Sequence, residues 1–244
     1  MRSQAQRKNR RENNQFLVRA SIHHEPYRLL AFRGIAFLGC KPGEKGFIVG
    51  TKAGNIPPCV AEKHFLRHPD QIVAMRPFMG GQELNNNEHA TPSRHAIFLD
   101  EHTSSIFKET SDLLKSFLTT SKRSSRHWYR YSAPANELMS RLATMENIIA
   151  LAETSNAFIF EHVPSQTIFS NTVWCFTDTT PGMISLLQSA IHEEWTRLLT
   201  STLKDDLRYV ASECIETLPV GRDALSTELC KAEQVYLIKC HELT

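Results

Sequence analysis

The spacing of apolar and polar positions changes several times along the chain, and each change marks an element. "LLAFRGIAFLGC" (29–40) and "GFIVGT" (46–51) are short apolar runs on either side of Lys41-Pro42-Gly43. They predict two strands joined at that turn. Ile56-Pro57-Pro58 interrupts the pattern, and "CVAEKHFLRHP" then predicts a short helix stopped at Pro69. In "DQIVAMRPFMGGQELNNN" (70–87), Gly80-Gly81 predicts a sharp turn, and Asn85-Asn86-Asn87 can take positive φ. "SRHAIFLD" (93–100) predicts another strand. Over 103–119, Ile106, Leu113, Leu114, Phe117 and Leu118 fall near helical spacing and predict a helix that ends before Ser121.

The last third follows its own pattern. "ANELMSRLATM" (135–145) predicts a helix. Ile148–Ala152, Ala157–His162, Gln166–Phe169 and Thr172–Thr177 predict strands separated by turns. Ile184, Leu187, Ile191, Trp195 and Leu198 follow steps of 3, 4, 4 and 3, one apolar stripe on a single long helix opened by Thr180-Pro181. Together these elements predict an α+β fold of small mixed or antiparallel sheets with packed helices. There is no alternating βαβ train and no repeat.

Composition adds little until its distribution is considered. Lys+Arg 28 against Asp+Glu 26 gives a net charge of +2, too balanced to argue nucleic-acid binding from the total. Arg2, Arg7, Lys8, Arg10 and Arg11, however, crowd the first eleven residues without an acid. Such a run is either a solvated tail or an arm that gains affinity from phosphates by releasing counterions. No apolar run approaches the ~20 residues that span a bilayer, and no apolar core follows the basic N-terminus as in a secretory signal. The six cysteines are scattered without a C-x-x-C pair, which fits a reduced, cytoplasmic protein.

Most catalytic motifs are missing. There is no G-x-G-x-x-G, no phosphate-binding G-x-x-x-x-G-K-[ST] and no G-x-S-x-G. "HEEWT" (192–196) holds half of a zinc hydrolase motif, and His64 and His68 stand one helical turn apart without an evident third ligand. Pro69-Asp70 lacks the acid-x-lysine partner of a metal-dependent nuclease. Asn55-Ile56-Pro57-Pro58-Cys59 misses an amino-methyltransferase loop by one inserted residue and an aromatic ring. A site assembled from distant residues stays open, so a stand-alone hydrolase or nuclease is the alternative function.

Two segments carry chemistry suited to DNA. "SKRSSRHWYRYSAPANELMSR" (121–141) sets Lys122, Arg123, Arg126, Arg130 and Arg141 against the single acid Glu137, with His127, Trp128, Tyr129 and Tyr131 interleaved. The guanidiniums suit phosphates; the rings either stack on bases or anchor the segment in the core. In "ALAETSNAFIFEHVPSQTIFSN", Glu153, Thr154, Ser155 and Asn156 form a polar tip between apolar strands. It is either a solvated turn or a set of base-edge contacts, Asn suiting adenine and Glu cytosine.

The order of several stretches resembles the target-recognition region of the MmeI-like bifunctional restriction–methylation enzymes and related large adenine methylases. "AFRGIAFLGC" and "GFIVGT" resemble its opening strands. "RPFMGGQELNNNEHATPSRHAIFLD" resembles its P-y-l-n-G-e-D-l-n…S-R segment, with Glu83-Leu84 in place of Asp-Leu. "RHWYRYSAPANELMSRL" resembles its basic, tryptophan-bearing stretch. Leu187, Ser189, Ile191, His192, Trp195, Tyr209, Thr217, Leu218 and Pro219 resemble its closing l-l-S-s-i-H-x-x-W…Y…T-F-P run, with Leu for Phe.

The resemblance implies a DNA-binding specificity module organised as a basic disordered tail (1–15), a spacer-like α+β portion (16–120), a recognition core (121–220) and a helical tail (221–244). It implies double-stranded DNA and a methyltransferase as partners, with S-adenosylmethionine used by that partner and no cofactor or metal in this chain. Lys122, Arg123, Arg126, Arg130, Lys204 and Arg208 are then expected on phosphates, and Glu153, Thr154, Ser155 and Asn156 on base edges. The family's methyltransferase and nuclease regions are not in the sequence, so a specificity subunit, half of a split gene or a degraded interaction remnant all fit.

Overall fold

A computed structural model describes residues 26–86, 91–155, 157–200, 202–203 and 206–220. Its centre is an antiparallel sheet in the order β1–β9–β5–β7, formed by β1 (Ala36–Leu38), β5 (Asn147–Ala152), β7 (Glu161–Pro164) and β9 (Val173–Phe176). The run Ile148–Ala152 is apolar without alternation, and the structure explains why: both faces of β5 are covered. Ile149 and Leu151 point to a layer holding Phe160, Phe176, Met183, Leu187 and Tyr209. Ile148, Ala150 and Ala152 point to the opposite layer, with Leu138, Leu142, Val163 and Cys175.

A second sheet has the order β2–β4–β3–β8: β2 (Ile48–Val49), β3 (Met75–Met79), β4 (Arg94–Ile97) and β8 (Ile168–Phe169). All its pairings are antiparallel except β3 with β8. Phe47, Ile56, Phe65, Ile97, Leu114 and Tyr131 fill the core beside it, with contributions from α1 (Pro58–Arg67) and α4 (Lys108–Phe117). Pro58 starts α1, where its missing N–H costs nothing, and Pro69 follows its end.

The two sheets meet where the chain leaves β1. Cys40 N–H donates to Phe169 O (2.7 Å), and Asn171 N–H donates to Cys40 O (2.8 Å). Gly39 makes this seam: a Cβ built there would sit 2.2 Å from Ser170 O and 2.4 Å from Phe169 O, both backbone atoms. A small third sheet, β10–β11–β6, joins β10 (Thr202–Leu203) and β11 (Asp206–Arg208) to β6 (Thr154–Ser155). Strands from both sides of residue 120 therefore share sheets. Residues 1–15 and 221–244, expected as tails, lie outside the described residues.

Several expectations need correction. The runs 29–40 and 46–51 do not form a hairpin; β1 pairs with β9 and β2 with β4. Leu30–Phe32 and Lys45–Phe47 are 3-10 turns, and Gly34 (φ +72°) breaks the first run. Gly81–Asn86 is a short helix, α2, so Asn85 and Asn86 are helical. The helix expected over 103–119 is two, α3 (Glu101–Ile106) and α4, which part at Phe107 (φ −84°, ψ 69°); Asp100 and Thr103 close a capping box that starts α3 two residues early. Ala157–Phe160 is not strand; β7 begins at Glu161.

The long helix is also two: α7 (Pro181–Leu187) and α8 (Ala190–Leu199), which follow α5 (Thr120–Arg123) and α6 (Asn136–Leu142). Ser189 caps α8 by accepting His192 N–H at 3.2 Å. The break rotates the stripe, leaving Ile191 66% exposed and His192 fully buried. Among the described residues no helix is long and apolar enough to cross a membrane.

Candidate nucleic-acid interface

An open trough of about 680 Å³ runs over the second sheet. Two turns supply Lys41, Lys45 and Lys52; α2 and the strand ends packed on it supply Gln82, Asn85, Thr154 and Thr172. A smaller depression of about 600 Å³ shares Lys52, Gln82 and Arg94 and extends to Asn86 and His95. Gly43 (φ +87°) and Gly54 (φ +89°) allow the two turns to bend. The Lys45 stem passes over Gly54, 3.1 Å from where a Cβ would stand.

The electrostatics of the trough are uneven. Arg94 is neutralised: Nε donates to Glu83 Oε1 (2.9 Å) and Nη2 to Glu83 Oε2 (2.5 Å). Glu83 also accepts Gly80 N–H (2.7 Å) and the Ser93 hydroxyl (2.6 Å). Burial by itself would raise the Glu83 pKa, but the hydrogen bonds from Arg94, Ser93 and Gly80 outweigh it and hold the carboxyl below its ordinary value. Glu44 turns toward Thr119, accepting its N–H (2.9 Å) and hydroxyl (2.5 Å). Among the described residues, no acid lies within ion-pair distance of Lys41, Lys45 or Lys52.

A second constellation braces the far end of the fold. His192 Nδ1 donates to Leu187 O (2.8 Å), which leaves Nε2 to accept the Tyr209 hydroxyl (3.2 Å). Trp195 Nε1 donates to Thr217 Oγ1 (3.0 Å), and Trp174 Nε1 to Tyr209 O (2.9 Å). The Thr217 hydroxyl in turn donates to Glu213 O. Desolvation lowers the His192 pKa to about 4, against a smaller opposing effect of its bond to Leu187.

His192, Trp195, Tyr209 and Thr217, which form these braces, are among the residues that carried the resemblance, and comparison with known proteins agrees. Residues 59–222 match the model of the family described as MmeI, target recognition domain. The chain belongs to that family. The solved structure of the Type IIL restriction-modification enzyme MmeI in complex with DNA superposes with a TM-score of 0.64 at 17% identity, covering 91% of this chain and 30% of that one. The type IIG restriction endonuclease BpuSI gives a TM-score of 0.47 at 10% identity, covering 91% of this chain and 28% of that one. This chain therefore spans about 30% of the MmeI chain it matches. No curated protein matches it.

Within this MmeI-type recognition domain the expected site residues separate into groups. Thr154 is exposed and lines the trough, with Glu153 beside it. Arg208 lies opposite Thr154 in the strand register and 3.3 Å from the Glu153 carboxylate. Ser155 is only 5% exposed and its hydroxyl accepts Ala157 N–H, so it faces inward rather than forming a tip. Asn156 and Lys204 lie outside the described residues.

In the basic segment, Arg123, Arg126 and Arg130 are exposed. Arg130 stands 3.9 Å from Glu101. Lys122 is turned inward, donating to Arg130 O (2.6 Å) over the Phe47 ring. The base-stacking alternative fails for two rings. Tyr129 and Tyr131 are buried, Tyr131 with its hydroxyl on Ile97 O (3.0 Å). Trp128 packs half-buried against the same core beneath the Lys115 ammonium.

His64 and His68 have ring centroids 5.0 Å apart, and His64 Nε2 meets the Thr110 hydroxyl at 2.9 Å. Among the described residues no group of three or more His, Cys, Asp or Glu could hold a metal ion.

The trough lysines are absent from the contacts expected on sequence grounds. Their signal is nonetheless present: each stands within two residues of a glycine in a turn, Lys41-Pro42-Gly43, Lys45-Gly46 and Lys52-Ala53-Gly54.

Proposed function

We propose that this chain reads duplex DNA for an adenine methyltransferase of a restriction–modification or phage-defence system. Methyl transfer is assigned to a catalytic domain or subunit working beside it, which would bind S-adenosylmethionine. The observation that carries this reading is the family match over 59–222 on a fold with an open trough that holds three lysines with no ion-pair partner among the described residues. Such ammonium groups beside polar side chains suit a phosphate backbone, which is bound by releasing counterions. The exposed Arg123, Arg126, Arg130 and Arg208 would add phosphate contacts, and Glu153 and Thr154 base-edge contacts.

The test is a gel-shift titration of the full chain with mixed-sequence duplexes, alone and with the proposed methyltransferase partner. Binding that falls steeply between about 50 and 200 mM salt is expected. Absence of any shift at low ionic strength, even with the companion present, would overturn the reading.

A further inference from the structure

Resting on that reading, we propose that Gln82 and Asn85 on α2 are specificity-determining residues selective for an adenine edge, and that Lys41, Lys45 and Lys52 hold the adjacent backbone phosphates. Many residues of the family pattern cannot read bases. Gly39, Gly81, Glu83, Arg94, His192, Trp195, Tyr209 and Thr217 are all committed to contacts inside the protein. The glycines have no side chain to offer, and redirecting any of the others to a base would leave a hydrogen-bond partner unsatisfied. Base reading therefore falls to exposed polar side chains on a rigid support, with hydrogen-bonding capacity to spare.

Helix α2 meets those conditions. Leu84 is buried and Glu83 is clamped by Gly80, Ser93 and Arg94. Gly81 N–H donates to Thr172 Oγ1 (2.9 Å), and a Cβ on Gly81 would lie 2.8 Å from Thr172 O, so the helix sits tight on the strand end. Gln82 and Asn85, three residues apart on one face, are exposed and line the trough.

Asn85 Nδ2 donates to Thr154 O at 3.0 Å, which orients its amide plane. No other described residue bonds this amide, so one N–H and the Oδ1 acceptor remain. That is the complement of adenine, which offers N7 as acceptor and the N6 amine as donor. Guanine presents two acceptors, N7 and O6, and one remaining N–H cannot serve both. Gln82 has no side-chain hydrogen bond to a described residue, and its amide can pair with adenine N6 and N7 in the same bidentate way. The lysines stand in the same trough, where the Glu44 carboxylate is held on Thr119 and that of Glu153 faces Arg208. Phosphate binding and base reading are thus close enough to act on one strand.

The experiment selects a randomised-core duplex pool on the full chain, together with its methyltransferase if the pair is needed for binding, and sequences the bound fraction. Wild type is expected to enrich adenine at defined positions. Gln82→Ala and Asn85→Ala should each lose discrimination at one position by roughly ten-fold or more. Lys41→Ala, Lys45→Ala and Lys52→Ala should weaken binding to every sequence alike and reduce the salt slope by roughly 0.9 each. Unfolding midpoints of Gln82→Ala and of the lysine variants should match wild type, which separates a reading role from a structural one. If wild type binds the pool but the amide variants keep its base preference, or the lysine variants keep its salt slope, this inference falls and the DNA-reading assignment stands. If wild type binds no duplex, the assignment itself falls.

Discussion

Arg94 grips Glu83 at two points, Nε on Oε1 and Nη2 on Oε2, directly beneath the trough. The side chains are only 25% and 11% exposed, so removing Glu83 leaves the Arg94 guanidinium unpaired at a partly buried site and Gly80 N–H without its acceptor. Glu83→Ala should destabilise the fold by about 3 kcal/mol. The Glu83→Ala/Arg94→Ala double variant should cost less than the sum of the two single changes. Urea unfolding of all three variants measures this, and simple additivity would show that the pair is not coupled.

The seam between the sheets makes a sharper demand. Gly39→Ala places a methyl group against two backbone carbonyls that no rotamer change can move. We expect a loss of about 2 kcal/mol or more, of the size seen on overpacking a core. A thermal unfolding midpoint equal to that of wild type would show that the seam has slack.

His192 gives the fold a pH dependence. Its folded pKa of about 4 lies below the ordinary 6.5, so the unfolded chain takes up a proton that the folded chain refuses. Stability is complete above pH 6.5 and falls as pH drops toward 4, by up to about 1.4 kcal/mol per pH unit within that window. His192→Gln, which cannot titrate, should unfold with a shallower pH dependence between these values, read from denaturant midpoints. An unchanged slope would assign the pH dependence to other groups.

Exposed and inward basic residues of the 121–130 segment should behave differently. Arg123→Ala with Arg126→Ala leaves the core untouched, so the unfolding midpoint should hold while duplex affinity drops and the salt slope falls by roughly 0.9 for each phosphate left unneutralised. Lys122→Ala removes the clip onto Arg130 O and should alter thermal stability more than the salt slope. Identical salt slopes for wild type and the double-arginine variant would remove these arginines from the interface.

The α+β class, helix α1 and the strand positions around 94–97, 148–152 and 173–176 are legible in the sequence because periodicity and proline placement act locally. The pairing of strands is not. The runs flanking Lys41-Pro42-Gly43 look like a hairpin, yet each finds a better partner far along the chain, and no local signal encodes that. The stripe from Ile184 to Leu198 reads as continuous because its spacing ignores Ser189, whose capping hydroxyl restarts the helix and exchanges Ile191 for His192 on the buried face. At the site, arginine density points to residues 123–130. The trough depends instead on lysines and amides far along the chain from Thr154 and Thr172, and only folding brings them together.

By itself the sequence determined the family and the character of its elements, because motif order and hydrophobic spacing are properties of the linear chain. Only the tertiary structure decided which motif residues are braces and which side chains remain free for a ligand. Glu83 and Gln82 are neighbours in one polar run, but Arg94 claims the first while the second faces the trough. A residue's partners depend on long-range packing, and that packing settles whether its hydrogen bonds are spent within the protein or left for DNA.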